Sequence, residues 1–208
     1  MTLPLDADPP PQRTVVTGFR PFGGHATNPS AALAESCGRR FEVLEVAFDA
    51  ADEFLGRLAT DAASFDQLVM LGLRGDGRTI DVERVARNHI GATPDVRGVV
   101  RGPGPIEPSA PDTLAMETLG PVPGTTASFS DDAGCYLCNY IYYRALRRFA
   151  RKQVVFVHVP PFEVMPLDDQ RYRVAQIIAA AETTGAASNA PQVAVGNSDA
   201  VASRPADL

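Results

Sequence analysis

Two nearly all-apolar runs constrain the fold of this chain more than any other feature. They are FDQLVMLGL (65–73) and KQVVFVHVP (152–160), rich in β-branched and other apolar residues and flanked by polar residues or proline. Short runs of this kind predict strands that are buried on both faces of a sheet. A third run, RTVVTGF (13–19), is followed by proline and glycine and predicts another buried strand.

Helical patterns alternate with these strands along the chain. The predicted helices are residues 31–37, opened by Asn28-Pro29-Ser30, and residues 50–63, 112–119, 133–151 and 171–182. Residues 41–48 alternate apolar and polar side chains and predict a strand, residues 121–130 predict a turn and a short strand, and residues 80–90 fit either a strand or a helix. The order predicts an α/β fold, a three-layer α/β/α sandwich with a mainly parallel twisted sheet.

Length and composition predict one domain with two loose ends. The 208 residues suffice for a single core, which we place at residues 13–183. Residues 1–12 are rich in Pro and Asp, and residues 184–208 in Ala, Ser, Gly and Asn. Neither segment carries enough large apolar side chains to offset its ordering entropy, so both are predicted to be disordered.

Charge and cysteine content exclude several functional classes. The net charge of −6 and a pI near 5.0 argue against nucleic acid or an anionic membrane as the main partner. The first residues lack the pattern of a signal peptide, and no apolar run approaches the ~20 residues of a membrane span. Three cysteines do not suggest a disulfide framework, so we expect a cytoplasmic protein with free thiols.

Three side chains stand at positions that favour acyl-transfer chemistry. Cys138 lies early in a predicted helix, where backbone N–H groups favour a thiolate. His158 lies at the C-terminal end of a buried strand, and Glu83 follows a glycine-rich loop. A cysteine nucleophile, a histidine base and an acid that orients the histidine form a sufficient set for acyl transfer.

Each of these residues also has an ordinary structural interpretation. Cys138 could be a small core residue and His158 a structural histidine, while Glu83 could pair with Arg84 or Arg87 at the surface. Position along the sequence alone leaves both interpretations open.

The pair Cys135 and Cys138 raises two further hypotheses, a redox C-x-x-C motif and half of a metal site. A thioredoxin-type pair usually lies just before its helix with the first cysteine exposed, whereas here the helix is predicted to begin earlier. A structural zinc site needs a second pair of ligands. The remaining candidates, Cys37, His25, His89 and His158, lack motif spacing, so the sequence predicts no metal.

Three separated blocks together resemble the pyroglutamyl peptidase I (pyrrolidone-carboxylate peptidase) family. VTGFRPFGGHATNPS (16–30) is similar to the family signature TGFxPFGG…NP[ST], and IDVERVARN (80–88) to the block that holds its catalytic glutamate. AGCYLCNY (133–140) and FVHVP (156–160) resemble the blocks that hold its nucleophile and its histidine. The blocks follow the family's order over about residues 13–182.

The resemblance implies a cysteine peptidase that removes N-terminal pyroglutamate from peptides without metal or cofactor. Position by position, it implies Cys138 as the nucleophile, His158 as general base and later acid, and Glu83 as the group that orients the imidazole. Cys135 becomes a bystander. The implied substrate-binding residues, which suit a flat uncharged lactam, are Phe19, Phe22, Leu73, Tyr136 and Leu137.

The sequence also departs from the family pattern. Where the family usually has an arginine in an A-R-I-P-D-N stretch, this chain reads GATPDVRG, with Thr93 near that place and Arg97 four residues later. The loop RGDGRT (74–79) differs from the usual glycine–arginine pattern. The missing arginine favours one alternative, a divergent homologue of the same fold that is weakly active, binds without cleaving or cleaves another amide. The pair Cys135 and Cys138 leaves a second alternative, a C-x-x-C thiol oxidoreductase. The expected partners are a pyroglutamyl peptide and, since the family is often tetrameric, further copies of the chain.

Overall fold

The computed structural model describes residues 13–24, 26–119, 122 and 127–188, and the backbone alone for residues 185–188. The elements in chain order are β1 Thr14–Phe19, α1 Pro29–Ser36, β2 Arg40–Leu44, α2 Phe48–Thr60, a 3-10 turn Ala62–Ser64, β3 Gln67–Leu73, β4 Asp81–Glu83, β5 Val85–Arg87, β6 Thr113–Ala115, β7 Ser128–Ser130, α3 Leu137–Arg148, β8 Gln153–Val159 and α4 Leu167–Ser188.

Six strands form one sheet in the order β2-β1-β3-β8-β4-β7. All neighbouring pairs are parallel except β4 and β8, which run antiparallel, and β5 and β6 form a separate antiparallel ribbon. The predicted buried strands are β1, β3 and β8, whose residues are all buried, and β3 and β8 occupy the centre of the sheet. The predicted α/β class with a mainly parallel sheet is confirmed.

Strand parity divides the core into two layers. Met70 and Phe156 on β3 and β8 pack with α2 and α3, whereas their neighbours Val69 and Val157 pack with α1 and α4. Because successive side chains of a strand point to opposite faces, each all-apolar strand supplies both layers. The helices therefore cover both faces of the sheet, as the continuous apolar runs predict.

Residues 16–30, the first block that resembles the family, hold α1 against β1. Asn28 caps α1 by accepting a hydrogen bond from the Ser30 N–H at 3.1 Å, and the Ser30 hydroxyl accepts one from the Phe19 N–H at 3.0 Å. Gly18 makes this approach possible, because a Cβ at that position would lie 2.2 Å from the Ser30 carbonyl oxygen. The signature residues thus fix the loop that follows β1.

We expect Gly18→Ala to destabilise the protein by about 1–3 kcal/mol or more, because the clash is with backbone that cannot rotate away. Gly56→Ala is the matched control: it lies in the middle of α2 with no atom within 4 Å of the added Cβ, so it should stabilise by about 0.5–1 kcal/mol. Urea unfolding of both variants measures the difference. Equal midpoints would contradict the close packing of α1 on β1.

Several predicted elements differ from the structure. Residues 112–119 are not a helix, because Thr113–Ala115 pair with Val85–Arg87 as strands β6 and β5. The hydrogen bonds between these strands stabilise the segment more than its weak helical propensity does. The ambiguous residues 80–90 form two short strands in different sheets. The predicted strand 41–48 ends at Leu44, because α2 begins at Phe48, earlier than predicted.

The helix predicted over 133–151 begins only at Leu137 and ends at Arg148. Gly134 adopts a left-handed φ of 80°, and the carbonyl of Cys135 accepts a hydrogen bond from the Gly91 N–H at 2.7 Å, so neither residue belongs to the helix. The helix α4 continues to Ser188, beyond the predicted core boundary at residue 183. Of the disorder predicted for residues 1–12 and 184–208, residues 184–188 are the last part of α4 and the rest lies outside the described residues, so the domain boundaries stay a prediction.

Candidate active site

The same strand parity brings Glu83 and His158 to one face of the sheet. Val82 and Val157 pair across β4 and β8 and belong to the layer of α1 and α4. Their neighbours Glu83 and His158 therefore point to the opposite face, where α3 lies. The two polar residues come from strands that are adjacent in the sheet although 75 residues separate them in sequence.

Glu83 and His158 form a short, buried contact. The Nδ1 atom of His158 lies 2.6 Å from Oε1 of Glu83, and the Glu83 side chain is fully buried. A hydrogen bond of this length between a carboxylate and an imidazole N–H is of the strong, charge-assisted kind. It leaves the other ring nitrogen, Nε2, available to a third group.

That third group is Cys138, the second residue of α3, whose thiol lies close enough to His158 to raise the pKa of the imidazole. Gly72 pairs with His158 across β3 and β8, and it makes room for the thiol. A Cβ on Gly72 would lie 3.0 Å from the Cys138 Sγ and 2.8 Å from the Phe156 ring. The thiol, imidazole and carboxylate therefore follow one another in space.

The electrostatics of the site favour the charged forms of both partners of the His158–Glu83 pair. Burial by itself disfavours the imidazolium, but hydrogen bonds to Cys138 and Glu83 and their charges raise the pKa of His158 to about 9. Burial would also raise the pKa of the Glu83 carboxyl. Hydrogen bonds from His158 and Ser130 and the positive charges of His158 and Arg74 lower that pKa below its ordinary value.

A buried asparagine, which the sequence analysis did not single out, fixes the start of α3. The Asn139 side chain accepts a hydrogen bond from the Arg87 N–H at 2.8 Å and donates to the carbonyls of Arg87 and His89, both at 2.8 Å. Its three bonds tie the residue after Cys138 to β5 and the loop that follows. The only signal in the sequence is an amide next to the predicted nucleophile in an otherwise apolar turn.

The first backbone bond of α3 joins the Tyr140 N–H to the Tyr136 carbonyl at 3.0 Å. The N–H groups of Leu137, Cys138 and Asn139 precede it and have no acceptor within the helix. The thiol thus lies beside the positive end of the helix dipole, which suits a thiolate or a developing oxyanion.

A small apolar pocket opens beside Cys138, with about 220 Å³ of empty space, part of it open to solvent. Val46 contributes to its wall and was not predicted. All five residues that the resemblance implies for substrate binding also line it together with Cys138: Phe19, Phe22, Leu73, Tyr136 and Leu137. These residues are scattered from position 19 to position 137 in sequence, so their convergence comes from the fold.

The segment GATPDVRG (91–98), where the family arginine is missing, packs next to this pocket. The Tyr136 hydroxyl donates to the Pro94 carbonyl at 3.0 Å, and the Val96 N–H donates to the Val46 carbonyl at 3.1 Å. The buried Asp95 carboxylate anchors the segment by accepting three backbone N–H groups, including that of Phe48, which begins α2.

Neither of the two following arginines takes the place of the missing one at the pocket. The Arg97 guanidinium pairs with the carboxylates of Glu45 and Asp49. The Arg101 guanidinium pairs with Asp52 and lies over the rings of Phe48 and Tyr140, at 5.4 and 5.3 Å from their centroids. Thr93 is exposed.

The structure corrects one premise of the sequence analysis about Cys135. Because α3 begins at Leu137, Cys135 lies before the helix and is exposed, while Cys138 lies inside the first turn. This is the placement of a thioredoxin-type pair, so helix position does not argue against that hypothesis. Both thiols are free.

The described residues contain neither a cluster of metal-binding side chains nor a membrane-spanning helix. Within residues 13–24, 26–119, 122 and 127–188 no group of three His, Cys, Asp or Glu side chains could hold a metal ion. In the same part of the chain, no helix is both long and apolar enough to cross a membrane.

A thiol, an imidazole and a buried carboxylate in succession beside a pocket define the class of thiol hydrolases. The pyroglutamyl peptidase family model matches residues 12–188. The chain belongs to the pyroglutamyl peptidase family. The predicted family and the predicted class of enzyme, a cysteine-type pyroglutamyl-peptidase, are thereby confirmed.

Curated relatives and solved structures agree with this assignment. The pyrrolidone-carboxylate peptidase of Pyrococcus furiosus is 35% identical over 173 residues, which cover 71% of this chain and 80% of that protein. The protein of the same name from Clavibacter michiganensis is 30% identical over 207 residues, covering 88% and 96%. A solved structure of a mutant pyrrolidone carboxyl peptidase from P. furiosus superposes with a TM-score of 0.74 at 29% identity, covering 82% of this chain and 98% of that one.

Proposed function

We propose that this protein hydrolyses the amide bond that follows an N-terminal pyroglutamyl residue, with Cys138 as nucleophile, His158 as general base and acid, and Glu83 as the residue that orients His158. The observation that carries the proposal is the continuous path from the Glu83 carboxylate through His158 to the Cys138 thiol at the edge of the apolar pocket. The named relatives, all pyrrolidone-carboxylate peptidases, support the same substrate class.

In the first half of the reaction, the Cys138 proton has already passed to Nε2 of His158, whose raised pKa favours the imidazolium, and the thiolate attacks the carbonyl carbon of the pyroglutamyl residue. The free N–H groups at the start of α3 lie on the same turn and would stabilise the oxyanion. His158 then gives its proton to the departing amine, the C–N bond breaks, and a thioester to Cys138 remains. Glu83 neutralises the imidazolium while it exists.

In the second half, a water molecule gives a proton to His158 as its oxygen attacks the thioester carbonyl. The C–S bond breaks and pyroglutamate leaves, which restores the Cys138 thiolate beside the protonated His158. Hydrolysis therefore consumes one water and needs neither a redox partner nor a metal.

The pocket accounts for a preference for pyroglutamate over an ordinary amino terminus. Its lining is apolar, with Phe19 and Phe22 offering ring surfaces that suit a flat lactam. A protonated α-amino group would lose its hydration there without gaining a counter-ion from the lining residues. The uncharged lactam avoids that desolvation cost.

The proposal is tested by hydrolysis of a pyroglutamyl-coumarin amide, with prolyl-coumarin amide as the charged analogue of similar size. We expect turnover of the pyroglutamyl compound and at least a hundredfold slower turnover of the prolyl compound, about 3 kcal/mol of discrimination. If the wild-type protein turns over the pyroglutamyl amide no faster than a Cys138→Ser variant, the alternative of a non-peptidase homologue replaces this proposal.

The activity should rise from about pH 5 to about pH 7 and fall as pH increases through about 9. The rise reflects formation of the working Cys–His pair. The fall follows from the raised pKa of His158, because the imidazolium keeps its proton up to that pH and loses it above. The pH profile of kcat/KM measures both limbs. A flat profile over this range would show that His158 does not exchange the proton.

The exposed position of Cys135 is one observation that favours the oxidoreductase alternative. The two functions differ in what they require, because a redox pair needs both thiols and a peptidase needs only Cys138. The predicted self-association and cytoplasmic location stay predictions.

A further inference from the structure

Arg74, the first residue after β3, lies directly behind the His158–Glu83 pair. Its Nη2 atom is 2.9 Å from Oε1 of Glu83, 2.6 Å from the carbonyl oxygen of Asp132 and 3.3 Å from Nδ1 of His158. Its Nη1 atom is 3.2 Å from the carboxylate of Asp81. Arg74 belongs to the loop RGDGRT, where the sequence departs from the usual pattern, and nothing in the mechanism above uses it.

The hydrogens of Arg74 determine which nitrogen of His158 carries a proton. Nη2 has two hydrogens, and the Glu83 and Asp132 oxygens accept both. No hydrogen of Nη2 remains for Nδ1 of His158, and a guanidinium cannot accept one. Nδ1 must therefore be the donor in the 2.6 Å bond to Glu83, which leaves Nε2 as the nitrogen that gains and loses a proton during the reaction.

Arg74 also keeps the Glu83 carboxylate paired throughout the reaction. Glu83 is fully buried, and a buried charge without a partner is costly. His158 is a cation for only part of the cycle, because it donates its proton to the leaving amine. Arg74 remains charged at every step, so Glu83 never loses its last counter-ion.

We propose that Arg74 is a positioning residue of the peptidase, which fixes the Nδ1–H tautomer of His158 and keeps Glu83 ionised while His158 changes charge. This inference rests on the proposed roles of Cys138, His158 and Glu83. It assigns to the loop after β3 a part in catalysis without contact to substrate.

The effect of Arg74 on proton transfer has a definite sign. The groups that face His158 are Cys138 from α3, Glu83 and Asp81 from β4, and Arg74 from the loop after β3. The thiolate and the two carboxylates favour the imidazolium, and Arg74 is the one cation among these four. Removing it should raise the pKa of His158 by about one unit, because a like charge within about 4–6 Å disfavours the protonated ring.

The test compares Arg74→Met, Arg74→Lys and the control Arg78→Met. Arg78 lies in the same loop, is exposed, and forms no ion pair within the described part of the chain. We expect Arg74→Met to lower kcat about 10- to 100-fold with KM changed less than about twofold, and to move the basic limb of the pH profile upward by about one unit. Arg74→Lys should restore the position of that limb and part of kcat, and Arg78→Met should match wild type.

A second readout does not need activity. Nitrogen NMR of His158 reports its tautomer and its titration, and in the wild type should show Nδ1 protonated throughout, with the titration moved upward in Arg74→Met. If Arg74→Met does not fold, Arg74→Gln takes its place, because it also removes the charge while keeping a polar side chain, and it should move the His158 titration upward by a similar amount.

The proposal is overturned if Arg74→Met loses thermal stability but keeps the wild-type kcat, pH limb and His158 titration, because Arg74 would then be a structural residue. Failure of the proposed function is a different result. In that case the wild-type protein does not cleave the pyroglutamyl amide, while the NMR titration still decides whether Arg74 sets the state of His158.

Discussion

Replacing Cys138 by alanine should abolish hydrolysis of a pyroglutamyl amide, whereas replacing Cys135 by serine should leave that hydrolysis nearly unchanged. The first change deletes the sulfur atom that attacks the carbonyl carbon. A water molecule in its place would not be activated by His158 to the same extent. Loss of a triad nucleophile typically lowers kcat by roughly 10⁴- to 10⁶-fold. Steady-state rates with the coumarin amide measure both variants.

The two variants are matched because the cysteines lie three residues apart and both are free. Of the two cysteines, only Cys138 acts on the pKa of His158 and borders the pocket. Loss of activity in Cys135→Ser to the same extent would favour the oxidoreductase alternative. Circular dichroism of both variants shows whether the overall helix content is unchanged.

Glu83→Gln should lower kcat by about 10²- to 10⁴-fold while the protein remains folded. The amide is nearly the same shape but carries no charge, so it cannot neutralise the imidazolium. Its NH₂ group can also face Nδ1 of His158, which would favour the wrong tautomer. The rate loss should appear in kcat more than in KM, because Glu83 is not among the residues that line the pocket.

The matched control is Glu163→Gln, which removes the charge of an exposed carboxylate after β8 and should leave kcat unchanged. Thermal unfolding separates a catalytic effect from a structural one, since Glu83 also holds Arg74. If Glu83→Gln retains more than about a tenth of the wild-type kcat, the carboxylate does not orient His158 in the way proposed here.

The sequence predicted those parts of the fold that depend on local pattern. The apolar runs around Met70 and Phe156 identified the central strands, and Asn28 identified the start of α1. The pattern failed where long-range pairing decides the structure. Thr113–Ala115 are extended because they pair with β5, and no pattern within residues 112–119 predicts that pairing.

The candidate site shows the same division. Cys138, His158 and Glu83 were predicted together through a family resemblance, and strand parity explains in hindsight why the last two share a face. Arg74 and Asn139 could not be predicted, because their partners lie on the loop before α3 and on β5, which are distant in sequence. Polar contacts of this kind depend on tertiary geometry, and no periodic pattern of apolar and polar residues predicts them.

The most direct test of the central claim is to trap the acyl-enzyme. The wild-type protein is mixed with excess pyroglutamyl-coumarin amide, quenched in acid during turnover, digested and analysed by mass spectrometry. We predict one pyroglutamyl group in thioester linkage to Cys138, with none in Cys138→Ala and the same adduct in Cys135→Ser. A pyroglutamyl adduct on Cys135, or turnover that continues in Cys138→Ala at the wild-type rate, would contradict the account.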